Sequence, residues 1–329
     1  MDTSRWYRLF AEYEARGNSP CYERWCLGIA EDRELVALIE QLPPEKRQPN
    51  LVLGAARYLG VEESLFLLFK DWMVEHWAAV REVALARSTQ TNEVGRAAAL
   101  LPVLSQLPGP LSLIEVGASA GLCLYPDRFS YRYGDEQASI DPASGPSPVL
   151  LPCVTTGRPP LPAAVPTVVH RAGVDLNPLD VNDTDDMRWL GCLVWAGQTN
   201  RLDRLRATAA IARQEPPHVV AGDLTDTIAG LVHDAPQDTT IVVFGSAVLN
   251  YLDLDARTSF EDTVRGLPCH WISNEGGGVI TSVVDQLPKP ISETRGQFVV
   301  TLDGRALAYA GALAYAGAHG QSLDWFASL

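Results

Sequence analysis

Between residues 111 and 273 the chain keeps returning to one arrangement: a short apolar run, a stretch long enough for a helix, and another short apolar run. The runs are Leu111–Val116, 167–174, His218–Ala221, 240–244 and 269–273, and a helix is expected over 187–212. Strand and helix in alternation predict a parallel sheet covered on both faces, because each parallel crossover must return over a face of the sheet. Two further strand-like runs, Gln297–Leu302 and 306–315, are joined by Asp303-Gly304, a pair suited to a tight hairpin turn. An antiparallel pair is therefore expected to close a sheet of seven strands.

The chain ahead of this pattern reads as helices. Ser19-Pro20 supplies a cap and a first-turn proline for a helix over 21–41, where Trp25, Ile29, Leu35, Leu38 and Ile39 recur at helical spacing. Helices over 50–59 and 64–86 follow, the second carrying Leu67, Leu68, Trp72, Val74 and Trp77. Thr91-Asn92-Glu93 then opens a helix with Val94, Ala98, Leu101 and Leu104 on one face. The division expected is a helical cap over 1–88 and an α/β core over 89–329. An insertion over 125–166, rich in proline, glycine and aspartate, carries the alternation Phe129, Tyr131, Tyr133 and reads as partly hairpin, partly loop.

Composition narrows the partners. Asp and Glu number 40 against 26 Lys and Arg, a net charge of −14 with no basic stripe, which excludes a nucleic-acid backbone as the expected partner. The longest apolar runs, 97–104 and 241–244, are far shorter than the roughly 18–20 residues that span a bilayer. The start of the chain has no apolar secretion core, and no two of the six cysteines are two residues apart as in zinc or redox pairs. A cytoplasmic protein with reduced thiols, no metal and a small-molecule substrate is the expectation.

Three strand ends carry chemistry. Glu115-Val116-Gly117-Ala118-Ser119-Ala120-Gly121 leads an apolar strand into small residues, which lets a backbone come close to a ligand. Gly173-Val174-Asp175-Leu176 ends the next run, where Asp175 either accepts ribose hydroxyls or caps its own loop. Gly222-Asp223-Leu224 ends the third, with Asp223 either accepting from an exocyclic amine or capping a helix. Ser246 closes the fourth run, and Asn274 and Glu275 follow the fifth, able to orient an acceptor or take its proton or else to sit in a solvated loop. His319, in a glycine-flanked turn, is the histidine placed for general-base work, with a structural role as the alternative.

These segments in this order resemble the class I S-adenosylmethionine-dependent methyltransferase core, a Rossmann-like seven-stranded sheet, mostly parallel, with an antiparallel C-terminal hairpin. Thr91 to Arg96, Asp127-Arg128-Phe129, Tyr131-Arg132-Tyr133, and His319-Gly320 with Trp325 are also similar to a bacterial family of unknown function sharing that core. The resemblance implies that Glu115, Gly117, Ala118, Ser119 and Gly121 line a cofactor site, with Asp175 and Leu176 at the ribose and Asp223 and Leu224 at the adenine. Ser246 lies at the lip of the same crevice. It further implies methyl transfer from S-adenosylmethionine to a small-molecule oxygen or nitrogen nucleophile, with His319, Glu275 and Asn274 as catalytic candidates. Transfer of the aminocarboxypropyl group, nicotinamide-dependent oxidoreduction and a non-catalytic binding protein are the alternatives.

Overall fold

Side-chain caps start most of the helices of the N-terminal part. In the computed structural model, which describes residues 2–90, 92–134, 138–294, 297–311 and 320–327, Asp2 caps α1 (Thr3–Phe10) and Ser19 caps α2 (Pro20–Glu31). Asp32 caps α3 (Arg33–Ile39) by accepting the Glu34 and Leu35 N–H groups, so the expected single helix over 21–41 is broken there. The remaining helices here are α4 (Pro49–Tyr58), α5 (Phe66–Ala86) and α7 (Thr184–Leu193), and the single helix expected over 187–212 is divided into α7 and α8 (Thr199–Ala212). On α5 the buried stripe is Phe69, Met73, Trp77, Val80 and Ala84, whereas Leu67, Leu68 and Val74 are exposed. The helical period selects the first set, since its members recur every three or four residues. Trp25 stacks on Phe69 at 4.1 Å between ring centroids, so these aromatics form core.

The contacts divide the chain into two units: residues 2–90 with 182–203, and the remaining described residues from Asn92 onward. The second unit holds one mixed sheet of eleven strands, where seven were expected. Its strands are β1 (Leu111–Val116), β2 (Ser130–Tyr133), β3 (Ala138–Ile140), β4 (Leu150–Gly157), β5 (Val168–Asp175), β6 (His218–Ala221), β7 (Thr240–Ser246), β8 (His270–Gly276), β9 (Gln297–Leu302), β10 (Arg305–Gly311) and β11 (Ser322–Trp325). The spatial order is β3-β2-β4-β11-β10-β9-β8-β7-β1-β5-β6. The segment read as an insertion supplies β2, β3 and β4, and β11 joins them to the hairpin by pairing with both β4 and β10.

Within this sheet β6, β5, β1, β7 and β8 are mutually parallel. β1 is buried along its whole length, as a strand covered on both faces must be. One face packs against α9 (Leu224–Asp234) and α10 (Leu254–Arg265), where Ile228, Val232, Phe260 and Val264 meet Ile114, Val174 and Val243. Fully burying each such side chain contributes about 1.5–3 kcal/mol. The wholly buried α6 (Ala97–Leu104) makes its sheet contacts with β4, β8 and β9.

Asp303 and Gly304 both have positive φ, 51° and 79°, as the expected hairpin turn requires. The order of the hairpin differs from that of the resembled fold. There the seventh strand is the antiparallel one, inserted beside the sixth. Here β9, the sixth expected strand, lies antiparallel against β8, and β10 is antiparallel to β9.

Candidate functional site at the carboxyl ends of the parallel strands

The parallel strands all end on one side of the sheet, and the chain leaves the central strand β1 toward β5 and β6 on one flank and β7 and β8 on the other. Such a reversal opens a crevice at the strand ends. At the end of β1, Gly117 has φ +70° and its N–H and that of Ala118 both donate to Val174 O, at 2.9 and 3.1 Å. Ser119, also left-handed at φ 51°, donates its N–H to Asp175 Oδ2 at 2.8 Å. Gly121 N–H donates to Ala118 O at 2.7 Å, and Leu122 N–H to Asn92 Oδ1 at 3.2 Å.

These five donors are therefore all satisfied by the protein's own acceptors. No α-helix follows it, only the short 3₁₀ turns Leu122–Leu124 and Pro126–Arg128. Both facts weigh against a dinucleotide pyrophosphate, which needs free N–H groups at a helix start.

Asp175 is half-buried, and its second oxygen, Oδ1, accepts the Asn177 N–H at 2.8 Å. The carboxylate thus caps two pieces of backbone, and each oxygen keeps a further lone pair. The next residue, Leu176, is exposed. On the neighbouring strand Gly222 N–H donates to Asp175 O at 3.0 Å, which brings the ends of β5 and β6 together. Asp223 itself is exposed and caps α9 through the Thr225 N–H at 2.8 Å, and Leu224 is packed in the apolar core.

On the other flank the segment after β7 is held by β8. Ala247, with φ 58°, donates its N–H to Asn274 O at 3.1 Å. Val248 and Leu249 N–H groups converge on Glu275 Oε1 at 2.9 and 3.1 Å. Asn274 Nδ2 donates to Ser246 Oγ at 2.9 Å, and Arg96 Nη1 donates to Ser246 O at the same distance. Asn274 and Glu275 thus lie inside β8 and are buried, where the sequence placed them past the strand end.

Several buried polar atoms here lack a hydrogen-bond partner among the described residues: Glu115 Oε2, Ser119 Oγ, Asn274 Oδ1, Glu275 Oε2 and Asn92 Nδ2. Buried polar atoms in folded proteins are nearly always paired, so such a concentration at one end of a sheet makes this the candidate functional site. Burial pushes the Glu115 carboxyl well above the usual carboxylate range; the Cys123 thiol and the Arg96 guanidinium pull it down, while the Asp175 charge adds to the rise. Burial likewise pushes Glu275 up to about 7, against the pull of the Leu249 and Val248 N–H groups, Arg96 and Arg257. Cys123 is pushed up as well, chiefly by burial, which makes it a poor nucleophile.

Arg96 lies over the Phe298 ring at 5.4 Å, and Arg204 pairs with the buried Glu93 at 3.3 Å. The sequence showed Asn92 and Glu93 only as a helix start. The signal that could have separated them is a run of polar residues ahead of a helix apolar on every side. His319 lies outside the described residues. Its neighbour Gly320, with φ +73°, passes so close to the backbone of Gly95 that a side chain there would strike the Gly95 carbonyl.

No group of three or more His, Cys, Asp or Glu side chains among the described residues is placed to hold a metal ion. No described helix is long and apolar enough to cross a membrane.

No curated protein and no solved structure matches the chain. A sequence model of the family described as "uncharacterized protein conserved in bacteria (DUF2332)" matches residues 4–325, and the chain belongs to that bacterial family.

Proposed function

We propose that the second unit binds S-adenosylmethionine at the ends of β1 and β5 and transfers its methyl group to a small-molecule oxygen or nitrogen nucleophile. The observation that carries this reading is the tie between Ser119 N–H and Asp175 Oδ2 at 2.8 Å, which sets a carboxylate beside the glycine turn at the reversal of strand order. The residues fit a nucleoside. Asp175 keeps one lone pair on each oxygen for ribose hydroxyls, and the unpartnered Ser119 Oγ and Glu115 Oε2 belong to the same turn and strand end. Asp223, exposed at the end of β6, is the candidate acceptor for an adenine amine.

The cofactor, when bound, supplies an electrophilic methyl carbon on a sulfonium. The chain aligns the reactants and removes a proton. Glu275, with its carboxyl near neutrality and Oε2 unpartnered, is the described side chain able to take that proton, and Asn274 Oδ1 is able to orient the acceptor. Calorimetric titration with S-adenosylmethionine and S-adenosylhomocysteine tests the reading: binding of both supports it, and no heat with either refutes it. Product mass distinguishes methyl from aminocarboxypropyl transfer.

A second reading, a binding protein that keeps this architecture without transfer chemistry, is favoured by the five turn donors that are satisfied internally. Binding without turnover over a panel of acceptors supports it.

A further inference from the structure

Gly117 has no side chain, yet the space a side chain would occupy is filled. A Cβ on Gly117 would lie 2.5 Å from Val248 Cγ2 and 2.8 Å from Val248 Cβ. One on Gly245 would lie 3.0 Å from Val248 Cγ1. The valine is therefore seated against the glycine turn of β1 and the end of β7. Its backbone is fixed by Ala247, which sits in a left-handed conformation unusual for alanine, and by the Glu275 carboxyl that receives the Val248 and Leu249 N–H groups together. Tyr251 N–H closes the following turn onto Val248 O at 3.1 Å.

We propose that Val248 is the specificity-determining residue of this site, setting how closely a ligand approaches the Gly117 turn, and that Glu275 is the positioning residue that seats it. The proposal rests on the nucleoside reading given above. A glycine turn admits a ligand only on the sides its neighbours leave open, and on the Cβ side of Gly117 the neighbour is a branched side chain on a segment pinned at both of its amides. Shortening the side chain opens that side. Releasing the pin lets the segment relax and has the same effect. Glutamine at 275 keeps an oxygen that accepts both N–H groups and holds the valine in place.

The test has two arms. In the first, S-adenosylhomocysteine is titrated calorimetrically into wild type, Val248→Ala, Glu275→Ala and Glu275→Gln. The expected result is affinity raised about tenfold in Val248→Ala and Glu275→Ala and unchanged in Glu275→Gln, because the binding-competent arrangement no longer has to displace the valine. In the second, thermal unfolding compares Gly117→Ala in the wild-type and Val248→Ala backgrounds. The expected melting-temperature loss is about 5 °C in the first and about half of that in the second, the remainder being the positive φ. Equal affinity of wild type and Val248→Ala overturns the proposal, as does a Gly117→Ala loss of the same size in both backgrounds. Neither of these touches the nucleoside reading. Absence of binding in every variant, with the unfolding comparison as expected, overturns the nucleoside reading and the ligand role of Val248 together.

Discussion

Ser119 and Asp175, on adjacent strand ends, are joined by a 2.8 Å hydrogen bond from the serine backbone to the aspartate side chain. One carboxylate thereby fixes the turn after β1 and, through Asn177 N–H, the loop after β5. Replacing Asp175 with Ala leaves two backbone donors without acceptors. The expected loss of stability is about 1–3 kcal/mol in a denaturant titration, together with loss of any nucleoside binding. A variant as stable as wild type would show that the cap carries no weight.

Glu275 makes stability depend on pH. Its folded-state pKa, about 7, lies above the ordinary carboxylate value of 4.5, so folding favours the protonated form. The contribution is fully present below that ordinary value and is lost as pH rises through about 7. Unfolding midpoints measured from pH 5 to about 8.5 should fall across this window, and Glu275→Gln should flatten the fall. Glu115, raised in the same direction, adds to the slope. A midpoint that rises with pH would contradict the assignment.

Arg96 is buried and offsets the charge of both Glu115 and Glu275. Arg96→Met keeps the stem of the side chain and removes the charge. Losing one partner of a buried charged group costs about 3–5 kcal/mol, so the variant should unfold early in urea, with the steepest part of its pH profile at a higher pH than in wild type. Unchanged stability would place the guanidinium outside the network.

Asp223 gives a contrast. It is an exposed helix cap, so Asp223→Ala should cost only about 1 kcal/mol of stability. If Asp223 also receives an adenine amine, the same variant binds S-adenosylhomocysteine more weakly than wild type does, and the difference vanishes for the analogue lacking the purine 6-amino group; equal affinities of wild type and variant assign the residue to capping alone.

The parallel strands were legible because each is a bounded apolar run, and β1 and β6 fall where the runs do, as does the antiparallel β9. The hairpin turn was legible because Asp303-Gly304 tolerates positive φ at both positions. The β2–β3 hairpin was legible only as a hairpin within the insertion, and β4 was not legible, since its pairing with β11 reaches far along the chain and Pro152 sits inside it. The break at Asp32 is a local competition between cap and helix that periodicity does not register. At the site, the glycines and carboxylates stand out as residue types. The seat of Val248 against Gly117, and the grip of Glu275 on it, depend on register between β7 and β8 and have no mark in the sequence.

The bond between Thr156 and Asp324 spans 168 residues of chain, and the ladder it belongs to, between β4 and β11, attaches three strands to the rest of the sheet. A ribosome that has emitted β2, β3 and β4 has therefore made strands whose docking edge does not yet exist. Until β11 emerges they form a ribbon with an open flank, exposed to misplaced pairing, and assembly of the sheet waits on a late, non-local closure.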